Sequence, residues 1–539
     1  MFNDLIIYQI YPRSFKDSNN DGVGDLKGII EKIPYLWELG INAIWMSPIY
    51  ASPNDDNGYD VSDYYAIMNE FGTMEDFDLL KKTCDKYKIK IIMDLVMNHT
   101  SDEHKWFKEA RKSKDNPYSD YYIFVDNHNK EPNNWESCFG GSAWEYVKEK
   151  DQFYLHLFSK KQPDLNWDNQ KMRKELYQMI QFWIDKGVQG FRIDAISYLK
   201  KPEGFPNSPL KEDKFGHAKC MKFIAGNPKT HQYIKEMCET LFIDKNIFTV
   251  GEVTATSDED IKQYVLKDNH EFSAIIPFVP PIVEINQNKP IDLKKRIFKM
   301  YDLIKDQGYI ANFLSNHDKP RQVSLYGNDQ EYLKDSSKAL ASLMHTLPGI
   351  PFIYQGEEIG MSNVYYENIE DYNDLDTLNI YHKSIKEGKS KEEAFKLAQI
   401  ISRDNARSPM QWDDSLNAGF SSCSPWLKVN PNYKDINVKQ QIGDPDSVLN
   451  YYKKSIYLRK NNPCLLYGDL KEVKTYDDVI SYTRTYKNKT VLVIISLTSK
   501  ELPYDFNFKE SDILLTNKEF KKGVLLPYQA LIVNLKTGK

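Results

Sequence analysis

Several features that are common in secreted, membrane-bound or nucleic-acid-binding proteins are missing from this 539-residue sequence. The six cysteines are scattered, without a C-x-x-C pair or a compact disulfide framework, which favours reduced thiols in a cytoplasmic protein. Basic residues are not in excess, since the formal net charge is −6, and this argues against nucleic acid or an anionic membrane as a partner. No apolar run approaches a membrane span, and the N-terminus has no secretion signal pattern.

Internal repeats and low-complexity tracts are also lacking, but the chain is long and rich in aromatic residues. Its length is too great for one simple domain and suits a large catalytic domain with attached pieces. Aromatic residues make up 13% of the sequence, including 36 tyrosines. Their flat apolar faces and polar edges suit sugar rings, although packing in a large core explains them equally well. Nothing in the sequence marks an oligomer, so a monomer is expected.

Four apolar stretches carry a carboxylate within them or at their ends. The stretch 187–196 (GVQGFRIDAI) places Arg192 and Asp194 on the same side of a strand. Burying such a pair is costly unless the two groups hold each other. The other three stretches are 91–99 (IIMDLVMNH), 248–252 (FTVGE) and 311–318 (ANFLSNHD). A parallel (β/α)8 TIM barrel brings such strand ends together at one face, and we therefore predict an α/β protein with this fold.

The same four stretches resemble, in order, the four signature regions of the α-amylase family of glycoside hydrolases (family 13). The string Gln162–Trp167 (QPDLNW) is similar to an additional signature of the oligo-1,6-glucosidase and α-glucosidase subgroup. The resemblance implies a catalytic barrel formed by residues 1–100 and 168–462. It also implies an inserted subdomain B at 101–167, after strand 3. Short alternating strands at 463–539 predict a separate C-terminal antiparallel β domain, similar to a β-sandwich.

The resemblance assigns chemical roles to the carboxylates at the predicted strand ends. Asp194 is the expected nucleophile, and the neighbouring Arg192 should lower its pKa and keep it ionised. Glu252 is the expected general acid, since it has no cation nearby in the sequence and this role needs a protonated carboxyl. Asp318 should hold sugar hydroxyls, with Asp94 supporting the site from behind. The implied reaction is a double displacement that retains the α configuration, with the two reacting carboxyls about 5 to 5.5 Å apart.

Further residues are expected, by the same resemblance, to bind the sugar. Asp56 and Arg407 would close a pocket around the non-reducing end, and Tyr59 would stack beneath the terminal ring. Without the resemblance, an Asn-Gly turn beside a solvated acid would explain Asp56 better. A closed pocket implies the release of single glucose units from small oligosaccharide substrates. The remaining expected contacts are His99, Phe139, Phe158, Arg192 and His317.

Two sequence markers disagree on the linkage that is cleaved. In the family, Val after the nucleophile accompanies 1,6 bonds and Ala or Thr accompanies 1,4 bonds, and here the residue is Ala195. The Gln162–Trp167 signature belongs to the 1,6-type subgroup. We therefore predict an exo-acting α-glucosidase and leave α-1,4 and α-1,6 open. The segment 271–281 also departs from the Phe-Glu-His type sequence that is frequent in relatives, so no substrate contact is assigned to it.

Three other functions are alternatives to this prediction. Within the enzymes, the alternatives are a phosphotrehalose hydrolase and a sucrose-type transglucosylase. A phosphate-binding cluster would mark the first, and none is visible in the sequence. An alternative from another class is the catalytically inactive, amylase-like partner of membrane transporters, which carries a membrane helix and loses catalytic carboxylates. The three intact carboxylates and the lack of a membrane span argue against it.

The loop at residues 17–25 resembles the first half of a calcium loop. Oxygen donors stand at its first, third, fifth, seventh and ninth positions around Gly22, but Gly28 replaces the bidentate Glu of an EF-hand. An Asx-rich turn is the alternative. The loop is also similar to a metal loop in the oligosaccharide-cleaving branch of the family. We therefore expect a structural Ca²⁺ and no organic cofactor, with the ligands Asp17, Asn19, Asp21, the Val23 carbonyl and Asp25.

Overall fold

A closed barrel of eight parallel strands forms the centre of the molecule in a computed structural model, which describes residues 2–126, 128, 130–265, 270–277, 290–305 and 307–535. Each strand pairs with its neighbours in the sequence, and the last pairs with the first. This confirms the predicted (β/α)8 barrel. The strands are β1 Ile7–Ile10, β2 Ala43–Met46, β3 Lys90–Val96, β4 Gly190–Asp194, β5 Phe248–Val253, β6 Ala274–Pro277, β7 Tyr309–Asn312 and β8 Ile350–Tyr354.

A helix returns the chain between successive strands. The helix Leu26–Leu39 has sharply defined limits, because the Asp25 side chain caps its first turn and Gly40 ends it with a φ of 101°. The last barrel helix packs against both its predecessor and this first helix, which closes the outer layer. The eight helices are α1 Leu26–Leu39, α2 Met74–Lys86, α3 Gln170–Asp185, α4 Pro228–Leu241, α5 Asp258–Gln263, α6 Pro290–Ile304, α7 Leu333–Thr346 and α8 Val448–Asn461.

Short helices and small sheets fill the longer connections. The additional helices are Lys105–Ala110, Met221–Ile224, Gln322–Tyr326, Leu375–Lys386, Lys391–Ile401, Asp404–Arg407, Val438–Gly443 and Pro463–Tyr467. Tyr50–Ala51 pairs with Asp63–Ile67 after β2. No described helix combines the length and apolar character needed to cross a bilayer.

The interior of the barrel is a packed apolar core. Residues that alternate along the strands, such as Trp45, Phe248 and Phe352, point inward and are almost completely buried. Because this filling leaves no channel, the open space for a ligand lies beyond the strand ends. The C-terminal ends of β4 and β5 provide Asp194 and Glu252 there.

The segment after β3 forms its own small sheet. Phe124–Asp126, Gln152–Leu155 and Trp144–Val147 make a three-stranded antiparallel sheet. Trp135–Glu136 pairs in parallel with Ala218–Lys219, from the polar insertion that follows β4. The two insertions therefore form one wall above the C-terminal ends of the strands. Residues 278–281 of the segment 271–281 lie outside the described residues.

The C-terminal part is antiparallel, as predicted. Five strands form one sheet, in the order Asp469–Glu472, Val479–Tyr486, Lys489–Ser496, Ala530–Leu535 and Ile513–Thr516, and Leu502–Pro503 pairs with Val524–Leu525. Arg484 of this sheet and Arg459 of α8 are buried, and both donate hydrogen bonds to carbonyls at the end of α7. The negative end of a helix favours such cations, which fixes the sheet against the barrel.

A buried histidine links three barrel elements and makes stability depend on pH. His231 of α4 contacts Asp260 of α5 at 3.0 Å and Glu271, which precedes β6, at 3.1 Å. Burial opposes protonation, but the two carboxylates raise the pKa of His231 to about 9. A histidine whose folded-state pKa is raised contributes its full stability below about pH 6.5 and loses it as the pH rises through about 9.

We therefore expect the free energy of unfolding to fall by roughly 3 kcal/mol between pH 6.5 and 9.5 through this one group. In His231→Gln that part of the slope should vanish. Chemical denaturation at pH 6, 7.5 and 9.5 would measure it, with the exposed His382→Gln as the control. Parallel pH curves for His231→Gln and the native protein would contradict the expectation.

Candidate active site

A cavity of about 310 Å³, called here the inner cavity, opens at the C-terminal ends of the barrel strands. Asp194 and Glu252 come from the ends of β4 and β5, and Asp318 follows β7. The loops after β2 and β3 complete its wall. Eight of the residues predicted for catalysis or sugar binding line this cavity: Asp56, Tyr59, His99, Phe139, Phe158, Asp194, Glu252 and Asp318.

One arginine holds the carboxylates at the floor of the inner cavity. Arg192, with 1% of its side chain exposed, places Nη1 2.9 Å from Asp94 and 2.7 Å from Asp194. Its Nη2 lies 2.6 Å from Oε2 of Glu252. Glu252 has no cation nearby in the sequence, but the expectation that it is buried without a charged partner is therefore wrong. The sequence could not reveal this contact, because it arises from the pairing of β4 with β5.

The predicted pKa of the Asp194 carboxyl is also wrong in direction. Burial raises the pKa of Asp194 well above its usual range, with Arg192 opposing this effect and Glu252 and Asp94 adding to it. In the sequence, Arg192 stands beside a single carboxylate, Asp194. In the structure three carboxylates share that arginine, so its charge does not outweigh their burial and mutual repulsion.

A strained turn directs the chain away from Asp194. Ala195 has a φ of 47° and a ψ of 33°, in the left-handed region that residues with a Cβ seldom adopt. Its backbone N–H donates to Oε2 of Glu252 at 3.2 Å. This turn therefore ends β4 directly after Asp194 and gives Glu252 a second donor. The alanine that the sequence suggested as a marker of linkage thus contacts the second carboxylate.

Asp318 lies in a different electrostatic environment. Burial opposes its ionisation, but His317, Arg403 and Arg407 outweigh that effect and hold the pKa of Asp318 well below its usual range. The nearest of these groups are His317 Nε2 at 2.9 Å and Arg407 Nη2 at 2.8 Å. Asp318 is therefore an anion at neutral pH, whereas burial shifts the pKa of Asp194 in the opposite direction.

Three predicted residues, Arg192, His317 and Arg407, do not line the inner cavity and lie behind residues that do. The His317 ring stacks on Tyr59 with ring centres 5.3 Å apart, and its Nδ1 lies 2.7 Å from the side-chain amide of Gln9. Arg407 donates to the His317 carbonyl at 3.0 Å. Both ring nitrogens of His317 thus have protein partners, and these three residues act on the cavity through its lining side chains.

Arg403, which was not predicted from the sequence, closes one end of the inner cavity. Arg403 lies 3.4 Å from Asp56, 3.3 Å from Asp318 and 2.7 Å from Asp374. Its guanidinium also lies 5.3 Å from the centre of the Phe139 ring. Arg403 belongs to the same motif as Arg407, and four-residue spacing on a helical turn places both on one side. The four-residue spacing of Arg403 and Arg407 is the feature of the sequence from which Arg403 could have been predicted.

Gln162 connects the subgroup signature to the same end of the cavity. Its side-chain amide donates to Asp56 at 3.2 Å and lies 3.2 Å from Nε2 of His99. Burial lowers the pKa of His99 to about 4, so this ring is neutral at neutral pH. The signature thereby holds the Asp56 carboxylate and His99 in the wall.

The loop predicted to bind calcium is closed by its own backbone. The Asp17 carboxylate accepts N–H groups of Asn19, Asn20 and Gly22, and Asp25 accepts from Gly28. Within the described part of the chain, no three His, Cys, Asp or Glu side chains gather as a metal centre. The five predicted ligands still offer only oxygen donors, the type that Ca²⁺ prefers.

Comparison with known proteins agrees with this geometry. A family model for the catalytic domain of alpha-amylase matches residues 9–468. The chain is 46% identical to an oligo-1,6-glucosidase of Bacillus cereus over an alignment of 555 positions that covers 99% of each chain. Among solved structures, the trehalulose synthase of Pseudomonas mesoacidophila is 39% identical with a TM-score of 0.92, covering 99% of each chain. The trehalose-6-phosphate hydrolase of Bacillus licheniformis is 39% identical with a TM-score of 0.91, again over 99% of each chain. The chain therefore belongs to the α-amylase family of glycoside hydrolases.

Proposed function

We propose that this chain is a retaining, exo-acting α-glucosidase that releases glucose from the non-reducing end of short α-1,6-linked, and secondarily α-1,4-linked, gluco-oligosaccharides. The observation that carries the proposal is the pair Asp194 and Glu252, which share the Arg192 guanidinium at 2.7 and 2.6 Å. Glu252 also helps to raise the pKa of Asp194, as a neighbouring carboxyl does. Closely spaced carboxyls are the arrangement used for retention, whereas inversion needs room for a water between them.

In the proposed reaction, Asp194 attacks the anomeric carbon and forms a covalent glucosyl ester. Glu252 gives its proton to the departing oxygen, and the same residue then takes a proton from the water that cleaves the ester. Oε2 of Glu252 lies 2.6 Å from Nη2 of Arg192 and accepts the backbone N–H of Ala195, which leaves Oε1 to carry the transferred proton. The anionic Asp318 stabilises the positive charge that develops on the sugar ring.

The shape of the inner cavity supports removal of one glucose unit at a time. Asp56 and Arg403 meet at 3.4 Å and close its end, so a chain cannot continue past the sugar held there. Charged groups at this end suit the hydroxyls of a terminal sugar. Arg192, His317 and Arg407 would support that sugar from behind the wall.

The linkage preference rests on the relatives and on the subgroup signature. The Bacillus cereus relative bears the name oligo-1,6-glucosidase at 46% identity. Gln162, in the signature shared with that subgroup, contacts the wall of the inner cavity. We therefore place α-1,6 bonds ahead of α-1,4 bonds, although Ala195 follows the nucleophile.

The test is glucose release from isomaltose, isomaltotriose, maltose, sucrose and trehalose 6-phosphate, measured side by side. We expect the largest kcat/KM for the α-1,6 substrates and α-glucose as the first product, followed by NMR before mutarotation. β-Glucose as the first product would reject retention. Cleavage of trehalose 6-phosphate alone, or isomerisation of sucrose alone, would replace the proposed substrate class with one of the two alternatives.

A Ca²⁺ ion in the loop of residues 17–25 is a separate part of the proposal. Asp17, Asn19, Asp21 and Asp25, with the Val23 carbonyl, would hold it, and the ion would stiffen the loop without taking part in bond cleavage. Saturation to about 100 times Kd should stabilise the fold by roughly 2.7 kcal/mol. The thermal midpoint should therefore fall when EGTA is added and recover with excess calcium. In Asp21→Asn this response should weaken, and identical midpoints with EGTA and calcium would reject the site.

A further inference from the structure

A second cavity, of about 1100 Å³ and called here the outer cavity, adjoins the inner one. Lys319 and Asp376 line both cavities, so the two spaces meet at these residues. Because Asp56 and Arg403 close the far end of the inner cavity, the leaving part of a bound substrate must extend into the outer cavity. The walls of the outer cavity therefore limit the size of that leaving part.

Two opposite sides of the barrel build the outer cavity. One wall consists of the insertions after β3 and β4, and the other is the helix Leu375–Lys386, which follows β8. In the closed barrel β4 and β8 are separated by three strands on either side, so the two walls start from opposite edges of the C-terminal face. A contact between the walls therefore crosses the face on which the inner cavity opens.

Three polar contacts, called here the clasp, join the two walls. Each combines a residue of the helix with a residue of an insertion: Asn379 with Phe139, Lys383 with Glu136, and the Lys386 carbonyl with the Lys214 ammonium. The first is a hydrogen bond of 3.1 Å to the carbonyl of Phe139, whose side chain also lines the inner cavity. The clasp therefore closes the two walls into a ring around the leaving side of the site.

The ion pair in the clasp joins all three segments of the walls. Lys383 Nζ lies 2.7 Å from Glu136, whose side chain is 8% exposed, and 3.7 Å from Asp213. The backbone N–H groups of Phe215 and His217 donate to Asp213 and fix that carboxylate in place. One lysine of the helix thus holds both insertions, the one after β3 and the one after β4.

The two walls have separate apolar cores in the described part of the chain. Trp135 and Trp144 belong to the cluster within the insertions, whereas Leu378 of the helix packs with Val364 and Leu427. Opening the clasp would therefore expose no shared hydrophobic core. Its cost is limited to polar contacts at a partly exposed position, which are weak enough to open and close.

The helix is fixed at its N-terminal end and reaches the clasp with its C-terminal half. Asp374 caps its first turn and lies 2.7 Å from Arg403. The Thr377 hydroxyl donates to the Ser402 hydroxyl at 2.9 Å. Opening of the clasp would therefore leave the end of the inner cavity at Arg403 in place and change only the leaving side.

We propose that Lys383 sets the length of substrate that this chain cleaves, because its ion pair with Glu136 keeps the clasp closed over the leaving side. The closed clasp admits the leaving part of a short oligosaccharide, whereas the end of a long α-glucan enters only when the clasp opens. The proposal rests on the proposed glucosidase function and names the feature of that site that selects short substrates. The bond that is cleaved is the same in both cases.

The test compares kcat/KM for isomaltotriose with kcat/KM for dextran, expressed per non-reducing end, in the native protein and in Lys383→Gln. A dextran end binds only the open clasp, so its kcat/KM follows the open fraction. Loss of one partly exposed ion pair should raise that fraction about fivefold and lower the isomaltotriose-to-dextran ratio by the same factor. Lys383→Arg keeps the ion pair and should keep the native ratio, as should the exposed control Lys474→Gln. Maltotriose and soluble amylose give the same comparison for α-1,4 bonds.

A native ratio near one would overturn the proposal, and so would a ratio that Lys383→Gln leaves unchanged. Hydrogen exchange of the backbone amides of residues 136–142 tests the clasp without any substrate, and exchange there should be about fivefold faster in Lys383→Gln. Equal exchange in the two proteins would show that the ion pair does not hold the walls together, which also overturns the proposal. Failure of the proposed function has a different signature, since the native protein would then release no glucose from isomaltotriose or maltotriose, while exchange would still respond to Lys383→Gln.

Discussion

Replacing the proposed nucleophile, Asp194→Asn, is expected to lower kcat for isomaltose about ten thousandfold or more while leaving the fold intact. The asparagine amide has nearly the same size but cannot form the glucosyl ester. The folded state should not suffer, because burial raises the pKa of Asp194 and its charge is therefore a cost to stability at neutral pH. The thermal midpoint of the variant should equal or exceed that of the native protein.

The measurements are steady-state rates and thermal unfolding of the same preparation. Asp477→Asn, at an exposed position of the C-terminal part, is the matched control and should change neither quantity. More than about 1% of the native kcat in Asp194→Asn would remove this residue from the role of nucleophile. A lower thermal midpoint would instead show that Asp194 stabilises the fold, contrary to the electrostatic argument.

The barrel could be predicted from the sequence because its signal is local. Apolar runs with a carboxylate at the end recur at 91–99, 187–196, 248–252 and 311–318, and each contributes to a strand of the barrel. Strand polarity then places those ends on one face. The α1 helix could be predicted from the sequence equally well, because a capping aspartate and a terminal glycine mark its limits.

The electrostatics of the site could not be predicted, because they depend on contacts between strands. Arg192 and Asp194 are two residues apart, so their pairing was visible in the sequence. The contact of Arg192 with Glu252 requires the β4–β5 register, in which Arg192 lies opposite Val250. The residues of the clasp, such as Glu136 and Lys383, are also far apart in the chain and meet only in the folded protein.

Substitution of the shared cation, Arg192→Met, is expected to destabilise the protein by roughly 3 to 5 kcal/mol, because it leaves buried carboxylates without their partner. Asp94, Asp194 and Glu252 all lie within 2.9 Å of this guanidinium. Arg192→Lys keeps the charge but cannot bridge three carboxylates with one ammonium group, so it should recover only part of the stability. Activity should fall in both variants, since the reacting pair loses its fixed geometry.

The pH dependence separates this electrostatic effect from a loss of packing. Carboxylates left without Arg192 should have pKa values above those of the unfolded chain, so their cost grows as the pH rises above about 4 and shrinks toward acid. The stability deficit of Arg192→Met should therefore be smaller at pH 5 than at pH 7.5. Arg459→Met is the matched control, because Arg459 is as deeply buried but donates to the carbonyls of His345, Leu347 and Gly349. Its deficit should not shrink at low pH, and equal pH responses in the two variants would mean that Arg192 acts mainly by filling space.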